Sequence, residues 1–85
     1  MGKYRTKPIY PVEVEAIVWT GNNWRELDEW GCKSAQTQDD VLLIPVNGLI
    51  LNANVGDYII KASKRIFYPC DPVTFKAVYE PVERE

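Results

Sequence analysis

The sequence contains no histidine. Histidine is the commonest general base and a frequent zinc ligand, so its absence removes the side chain on which many catalytic and metal sites depend. Only two cysteines are present, Cys32 and Cys70, and they belong to no spaced motif. We therefore expect no enzyme, no metal and no cofactor. Such sparse cysteine also favours the reducing cytoplasm over a disulfide-bonded secreted scaffold.

The sequence likewise has no surplus of charge and no long hydrophobic run. The 10 Lys and Arg against 12 Asp and Glu residues give a formal net charge of -2, whereas nucleic-acid-binding domains commonly have an excess of basic residues. No apolar stretch approaches the roughly 20 residues that a membrane-spanning helix needs, and the start of the chain has no hydrophobic segment of signal-peptide type. Composition thus argues against nucleic acid and membranes as partners.

The composition is typical of one small globular domain over residues 1–85. Hydrophobic residues make up 46% of the chain and aromatic residues 12%, enough to fill a core. We expect residues 1–10 to be an extended or mobile lead and residues 83–85 a charged tail. Between them no repeat or linker interrupts the pattern, which predicts a single domain.

The first half predicts a strand, a helix and a hairpin. Residues 12–19 alternate as a strand does, and the helix predicted at about residues 23–30 has Asn23 as N-cap, Glu26 in a capping box and Gly31 at its end. Asn47-Gly48, between apolar runs, predicts a type I′ hairpin. Residues 32–40 are polar and predict an exposed loop, with Cys32 incidental in it.

The second half predicts two more strands, over residues 58–62 and 65–68, and then a short helix near residues 72–77 with Asp71 as its cap. Residues 77–80 predict a closing strand. Runs of strands joined by tight turns, with helices set apart, indicate an α+β fold with a mainly antiparallel sheet and the first helix packed on it. Pro45 predicts an edge strand or an outward-turned position. A strand such as residues 49–53 could pair across a two-fold axis, so a homodimer is one possible assembly.

Several of these segments carry a resemblance. They are Val14-Glu15-Ala16-Ile17, Trp19-Thr20-Gly21-Asn22, Gly56-Asp57-Tyr58-Ile59-Ile60-Lys61, Phe67-Tyr68-Pro69-Cys70, Phe75 and Tyr79-Glu80. Together they resemble a family of small bacteriophage and prophage proteins of uncharacterised function. The family usually has Pro where this chain has Val55, and a glycine-bearing, acidic turn where this chain has the more basic residues 62–65. The resemblance implies expression in the cytoplasm of an infected bacterium and implies no reaction.

The main candidate site is a basic turn with aromatic neighbours. Lys61, Lys64 and Arg65 are interleaved with Tyr58 and Tyr68, a pattern that can bind a nucleotide-like anion by charge and stacking. The alternative is a solvated turn whose charges protect a sheet edge from aggregation. The net charge of -2 favours that alternative.

Two further features have a structural and a functional interpretation. Of three tryptophans we expect at least two in the core, with Trp30 the best candidate for an exposed anchor of a protein partner. Cys70 stands beside a predicted helix start, which can lower a thiol pKa, but packing is the favoured interpretation because no base is at hand.

These observations predict a phage accessory protein that binds a host or phage protein, as an inhibitor for example. A small-ligand binder that uses the basic turn, and a minor structural component of the virion, are the alternatives.

Overall fold

The structure, a computed structural model, describes residues 2–6 and 13–82. In chain order the elements are β1 (Gly2–Thr6), β2 (Glu13–Val18), α1 (Trp24–Trp30), β3 (Ala35–Gln36), β4 (Leu42–Val46), β5 (Leu49–Ala53), β6 (Tyr58–Ser63), β7 (Ile66–Cys70), α2 (Pro72–Val78) and β8 (Tyr79–Pro81). Every strand pair is antiparallel. The predicted α+β class is therefore confirmed.

The strands form two sheets rather than one. The larger has the order β7-β6-β2-β1-β8, and the smaller has the order β3-β4-β5. Residues 2–6 of the predicted lead form β1, which pairs with β2 on one side and β8 on the other. Residues 7–10 of that lead and the predicted tail at 83–85 lie outside the described residues.

The larger sheet has a separate apolar core on each face, because successive side chains of a strand point to opposite sides. On one face Ile59 packs with Phe67, with Leu27 of α1 and with the inner side of the smaller sheet. On the other face Ile60 packs with Phe75 of α2 and a ring of tyrosines. Neighbouring residues of β6 therefore stabilise different layers of the molecule.

Trp19 ties the two sheets together. Its side chain is completely buried in the first core. Its backbone N–H donates to the Asp57 carbonyl at 2.8 Å, and its carbonyl accepts from the Gly56 N–H at 2.7 Å. Its indole Nε1 donates to the Asp40 carbonyl at 2.7 Å, at the approach to β4. One residue thus fixes the end of β2 against the turn before β6 and the start of the smaller sheet.

Helix α1 has the predicted bounds and the predicted cap residue, but the hydrogen bonds of that residue differ from the prediction. Asn23 occupies the cap position, yet its side chain makes no hydrogen bond to the helix backbone. Its Oδ1 accepts from the Thr20 N–H at 2.9 Å, and its Nδ2 donates to the Val18 carbonyl at 2.8 Å and to Glu26 Oε1 at 2.9 Å. The predicted partnership with Glu26 exists between side chains, and Asn23 fastens the helix to β2.

The end of α1 explains why the predicted exposed loop is partly buried. Gly31 adopts the left-handed conformation with φ 105°, and its N–H and that of Cys32 bond back to the helix carbonyls. This closure turns the residue after the glycine inward, as in a Schellman motif. Cys32 is completely buried, so its predicted place in an exposed loop is wrong, and β3 forms three residues later.

The hairpin and the second helix follow their local signals. Asn47 and Gly48 have φ 49° and 83°, as a type I′ turn requires. Pro45 lies in β4, the central strand, but β3 pairs only as far as Leu43, so no ladder bond is lost there. Asp71 Oδ1 accepts from the Thr74 N–H at 2.9 Å and caps α2, as predicted.

The tie at Trp19 leads to a stability prediction. Trp19→Phe removes the donor to the Asp40 carbonyl and leaves unfilled volume in the core, so we expect the free energy of unfolding to fall by about 1–3 kcal/mol. Trp24→Phe is the matched control, because that ring is 38% exposed, and we expect a change under about 1 kcal/mol. Urea unfolding followed by circular dichroism measures both, and equal effects would contradict the role given to Trp19.

Candidate functional site

The predicted site residues lie on different faces of the larger sheet. Lys61 pairs with Phe67 across β6 and β7, and Ile60 pairs with Tyr68. Because paired residues share a face, Lys61 lies on the first-core side and Tyr68 on the second-core side. Tyr58 also faces the second core. The structure therefore does not bring the predicted cations and tyrosines together, and their role in binding stays a prediction.

The side chain of Lys61 makes its contacts within the protein, with Trp30 and Phe67. Its Nζ donates to the Trp30 carbonyl at 3.3 Å and lies 5.7 Å from the centre of the Trp30 ring and 5.8 Å from that of Phe67. Trp30 Nε1 in turn donates to Glu15 Oε1 at 3.0 Å. Lys61 and Trp30 are thus both half-buried, and the expectation that Trp30 is the most exposed tryptophan is wrong. The more exposed ring is Trp24.

The tyrosines belong to an aromatic cluster around α2. The rings of Tyr58 and Phe75 stack with their centres 3.8 Å apart, and Tyr4 meets Phe75 edge-on at 4.8 Å. Burial, followed by a hydrogen bond with Tyr68, raises the pKa of Tyr79 to about 12. Burial and the neighbouring Tyr58 also raise the pKa of Tyr4. The cluster disfavours negative charge, which makes it a poor place for an anionic ligand.

The charged surface beside β1 contains both lysines and carboxylates. Lys3, Glu15 and Lys61 pair across adjacent strands, so that cations and a carboxylate alternate along the row. A groove of about 340 Å³ runs over them. Next to it Arg5 donates to Glu80 Oε2 at 2.8 Å. Glu13 and Lys64 also line this groove, so three lysines stand against two carboxylates and its preference for a ligand of either sign is weak.

The smaller sheet exposes apolar side chains on both faces of its hairpin, with Pro45 and Ile50 on one face and Leu49 on the other. Leu49 is 66% exposed and Ile50 60% exposed, directly after the Asn47-Gly48 turn. Pro45 pairs with Ile50 and is also exposed. We call Pro45, Leu49 and Ile50 the hairpin surface. Sequence reasoning predicted the hairpin but did not single out these side chains, because the pattern did not show which face of the sheet is covered.

A concavity with cations on its rim lies where the two sheets meet. Lys33, Lys64 and Arg65 surround a volume of about 530 Å³, whose wall includes Ile44, Pro45 and Phe67. We call these six residues the basic pocket. It contains two of the predicted cations, Lys64 and Arg65, and replaces Lys61 by Lys33. Lys33 had no signal in the sequence, since only the inward turn at the end of α1 brings it there.

Comparisons with protein-family models, with curated proteins and with solved structures find no match to this chain. The resemblance to small phage proteins therefore stays a prediction. Within residues 2–6 and 13–82 no helix is long and apolar enough to span a membrane. The same residues contain no group of three or more side chains able to hold a metal ion.

Neither cysteine has the environment of a reactive thiolate. Burial raises the pKa of the Cys32 thiol to about 11. Burial, together with the carboxylates of Asp71 and Asp57, also raises the pKa of Cys70. The lowering of the pKa that the helix start suggested for Cys70 is absent, because burial disfavours the thiolate and Asp71 adds a negative charge beside the sulfur. Both thiols are free, and only Cys70 is partly accessible.

This difference predicts ordered alkylation. With iodoacetamide at about pH 8 we expect slow modification of Cys70 and none of Cys32 in the folded protein, because the thiolate is the reacting form. Peptide mass spectrometry locates the label, and the same reaction in concentrated urea is the control in which both react. Labelling of Cys32 at the rate of Cys70 under native conditions would contradict its burial.

The raised pKa of Tyr79 predicts a loss of stability in alkali. The unfolded chain releases the tyrosine proton near pH 10 and the folded chain only near pH 12, so the contribution is complete below about pH 10 and is lost as the pH rises towards about 12. We expect the melting temperature of Tyr79→Phe to fall less steeply than that of the unmodified protein over this range. Parallel melting curves would show that Tyr79 does not ionise differently in the two states.

Proposed function

We propose that this chain acts by binding another protein through the hairpin surface, and not by catalysis. The observation that carries the proposal is the pair Pro45 and Ile50, exposed apolar side chains that lie opposite each other on β4 and β5, with Leu49 exposed beside them on the other face of the hairpin. Contiguous exposed apolar side chains are typical of interaction sites, whereas isolated ones are common on any surface.

The backbone of β5 suggests the form of the partner. In a hairpin with a two-residue turn the closing residues exchange hydrogen bonds, and alternate residues then direct their N–H and C=O groups away from the neighbouring strand. On β5 those residues are Ile50 and Asn52, both exposed. No backbone hydrogen bond within the described residues uses them. An extended segment of the partner, added beside β5, would satisfy these groups and cover Ile50.

The rigidity of the hairpin supports such a role. Its turn residues already have the positive φ values that the type I′ turn needs, and its start is anchored by the bond between Trp19 and Asp40. A surface ordered before binding loses little conformational entropy in the complex. The resemblance to small phage proteins supports a bacterial or phage protein as the partner, met in the cytoplasm of the host.

The test compares Leu49→Asp/Ile50→Asp with Val73→Asp. Val73 is 80% exposed on α2, and an acidic residue in the first turn of a helix is favourable, so this control makes the same chemical change at a harmless place. Tagged proteins are incubated with bacterial lysate, and the captured protein is purified for affinity measurement. We expect the double variant to bind about tenfold more weakly or worse and the control to bind normally.

Two results would overturn the proposal. One is capture that is equal for the double variant and the unmodified protein. The other is a dimer of the unmodified protein, detected by light scattering, that dissociates in the double variant. In that case the strand added to β5 comes from a second copy of this chain.

A further inference from the structure

The basic pocket is built from three separate segments, two of which supply its cations. Lys33 follows the buried Cys32, whose position is fixed by the closure of α1. Lys64 and Arg65 form the turn between β6 and β7. The opposite wall comes from β4, through Ile44 and Pro45. Residues distant in sequence thus converge on one concavity, and each segment is anchored by its own backbone hydrogen bonds.

The cations of the basic pocket have no ion-pair partner within the described residues, although Lys64 also lines the neighbouring groove that contains Glu13 and Glu15. Within residues 2–6 and 13–82, Lys33, Lys64 and Arg65 take part in no ion pair or side-chain hydrogen bond, and no carboxylate lines the pocket. This distinguishes them from Lys61, which is bonded to Trp30, and from Arg5, which is paired with Glu80. Like charges held around one space repel, and an anion placed between them relieves that repulsion.

The wall of the basic pocket is apolar behind its charged rim. Ile44 and Phe67 belong to the first core and are almost completely buried, so only a small part of each reaches the concavity. Low-dielectric walls strengthen the attraction between the rim and a bound anion, and they also favour contact with an apolar group. The volume of about 530 Å³ is within the range of about 300–1,000 Å³ common for small-molecule sites.

We propose that the basic pocket binds a small organic anion, with its phosphate or carboxylate between Lys33, Lys64 and Arg65 and its apolar part against Pro45, the exposed apolar side chain of the wall. Arg65 has the planar donor arrangement that suits these anions in a bidentate manner, and the two lysines add charge. The three cations of this site do not belong to the hairpin surface, whereas Pro45 belongs to both.

The test is a nuclear magnetic resonance titration of the whole chain with three probes. Phenyl phosphate carries both the anionic and the apolar group, whereas inorganic phosphate and phenol carry one each. We expect phenyl phosphate to shift the amide signals of Lys33, Ile44 and residues 64–67, and to bind about tenfold more tightly than either half. Shifts confined to other residues, or equal affinity for phosphate alone, would overturn the proposal.

Charge variants complete the test. We expect Lys33→Gln and Arg65→Gln each to weaken phenyl phosphate binding about fivefold or more, because each removes a charged donor from the rim. Lys76→Gln on α2 makes the same change of charge on the other side of the larger sheet and should bind like the unmodified protein. Equal weakening in all three variants would indicate attraction to overall charge and would overturn the site.

The variants also separate this proposal from the previous one. A neutral version of the hairpin variant, Leu49→Ser/Ile50→Ser, leaves Lys33, Lys64 and Arg65 in place and adds no carboxylate beside Pro45, so we expect it to retain binding of phenyl phosphate even where it loses the protein partner. If phenyl phosphate fails to bind while the hairpin surface still captures a protein, only the basic pocket is refuted.

Discussion

The hydrogen bond from the Trp19 indole to the Asp40 carbonyl is the constraint on which the arrangement of the two sheets depends. Asp40 has φ 62°, a left-handed conformation that is costly for a residue with a side chain, and the approach to β4 is held there. The basic pocket takes one wall from each sheet, and the hairpin surface extends from the smaller one. A change in the angle between the sheets would therefore displace both candidate sites together.

The two candidate sites lie where the alternation of the strands is interrupted. Along β6 the side chains of Lys61 and Tyr58 point to opposite faces of the sheet. Each packs against a different core, so neither is left to bind a ligand. Lys64 and Arg65 pack against neither core, because they lie in a turn and not on a face of the sheet. The hairpin surface lies on either side of the Asn47-Gly48 turn, at the end of β4 and the start of β5. Sheet interiors are thus structural, and the ends of the hairpins remain for recognition.

What could be predicted from the sequence is what short segments decide for themselves. The turn at Asn47-Gly48, the end of α1 at Gly31 and the cap at Asp71 each depend on a few neighbouring residues, and all three were located correctly. The burial of Cys32, the division into two sheets and the pairing of β1 depend on contacts between distant segments, which periodicity does not encode. The position of Lys33 at the basic pocket follows from such contacts, so no local pattern could reveal it.

The neighbouring isoleucines of β6 have a consequence for folding specificity. Ile59 and Ile60 are both completely buried, one in each core, so a slip of β6 by one residue would place an isoleucine where an isoleucine belongs. The two isoleucines alone therefore cannot define the register in which β6 pairs with its neighbours. The residues on either side remove the ambiguity, because the slip would turn the ammonium group of Lys61 into the tyrosine cluster and the ring of Tyr58 away from Phe75. In this protein the correct alignment of β6 is therefore selected by the residues that flank the isoleucine pair and not by the pair itself.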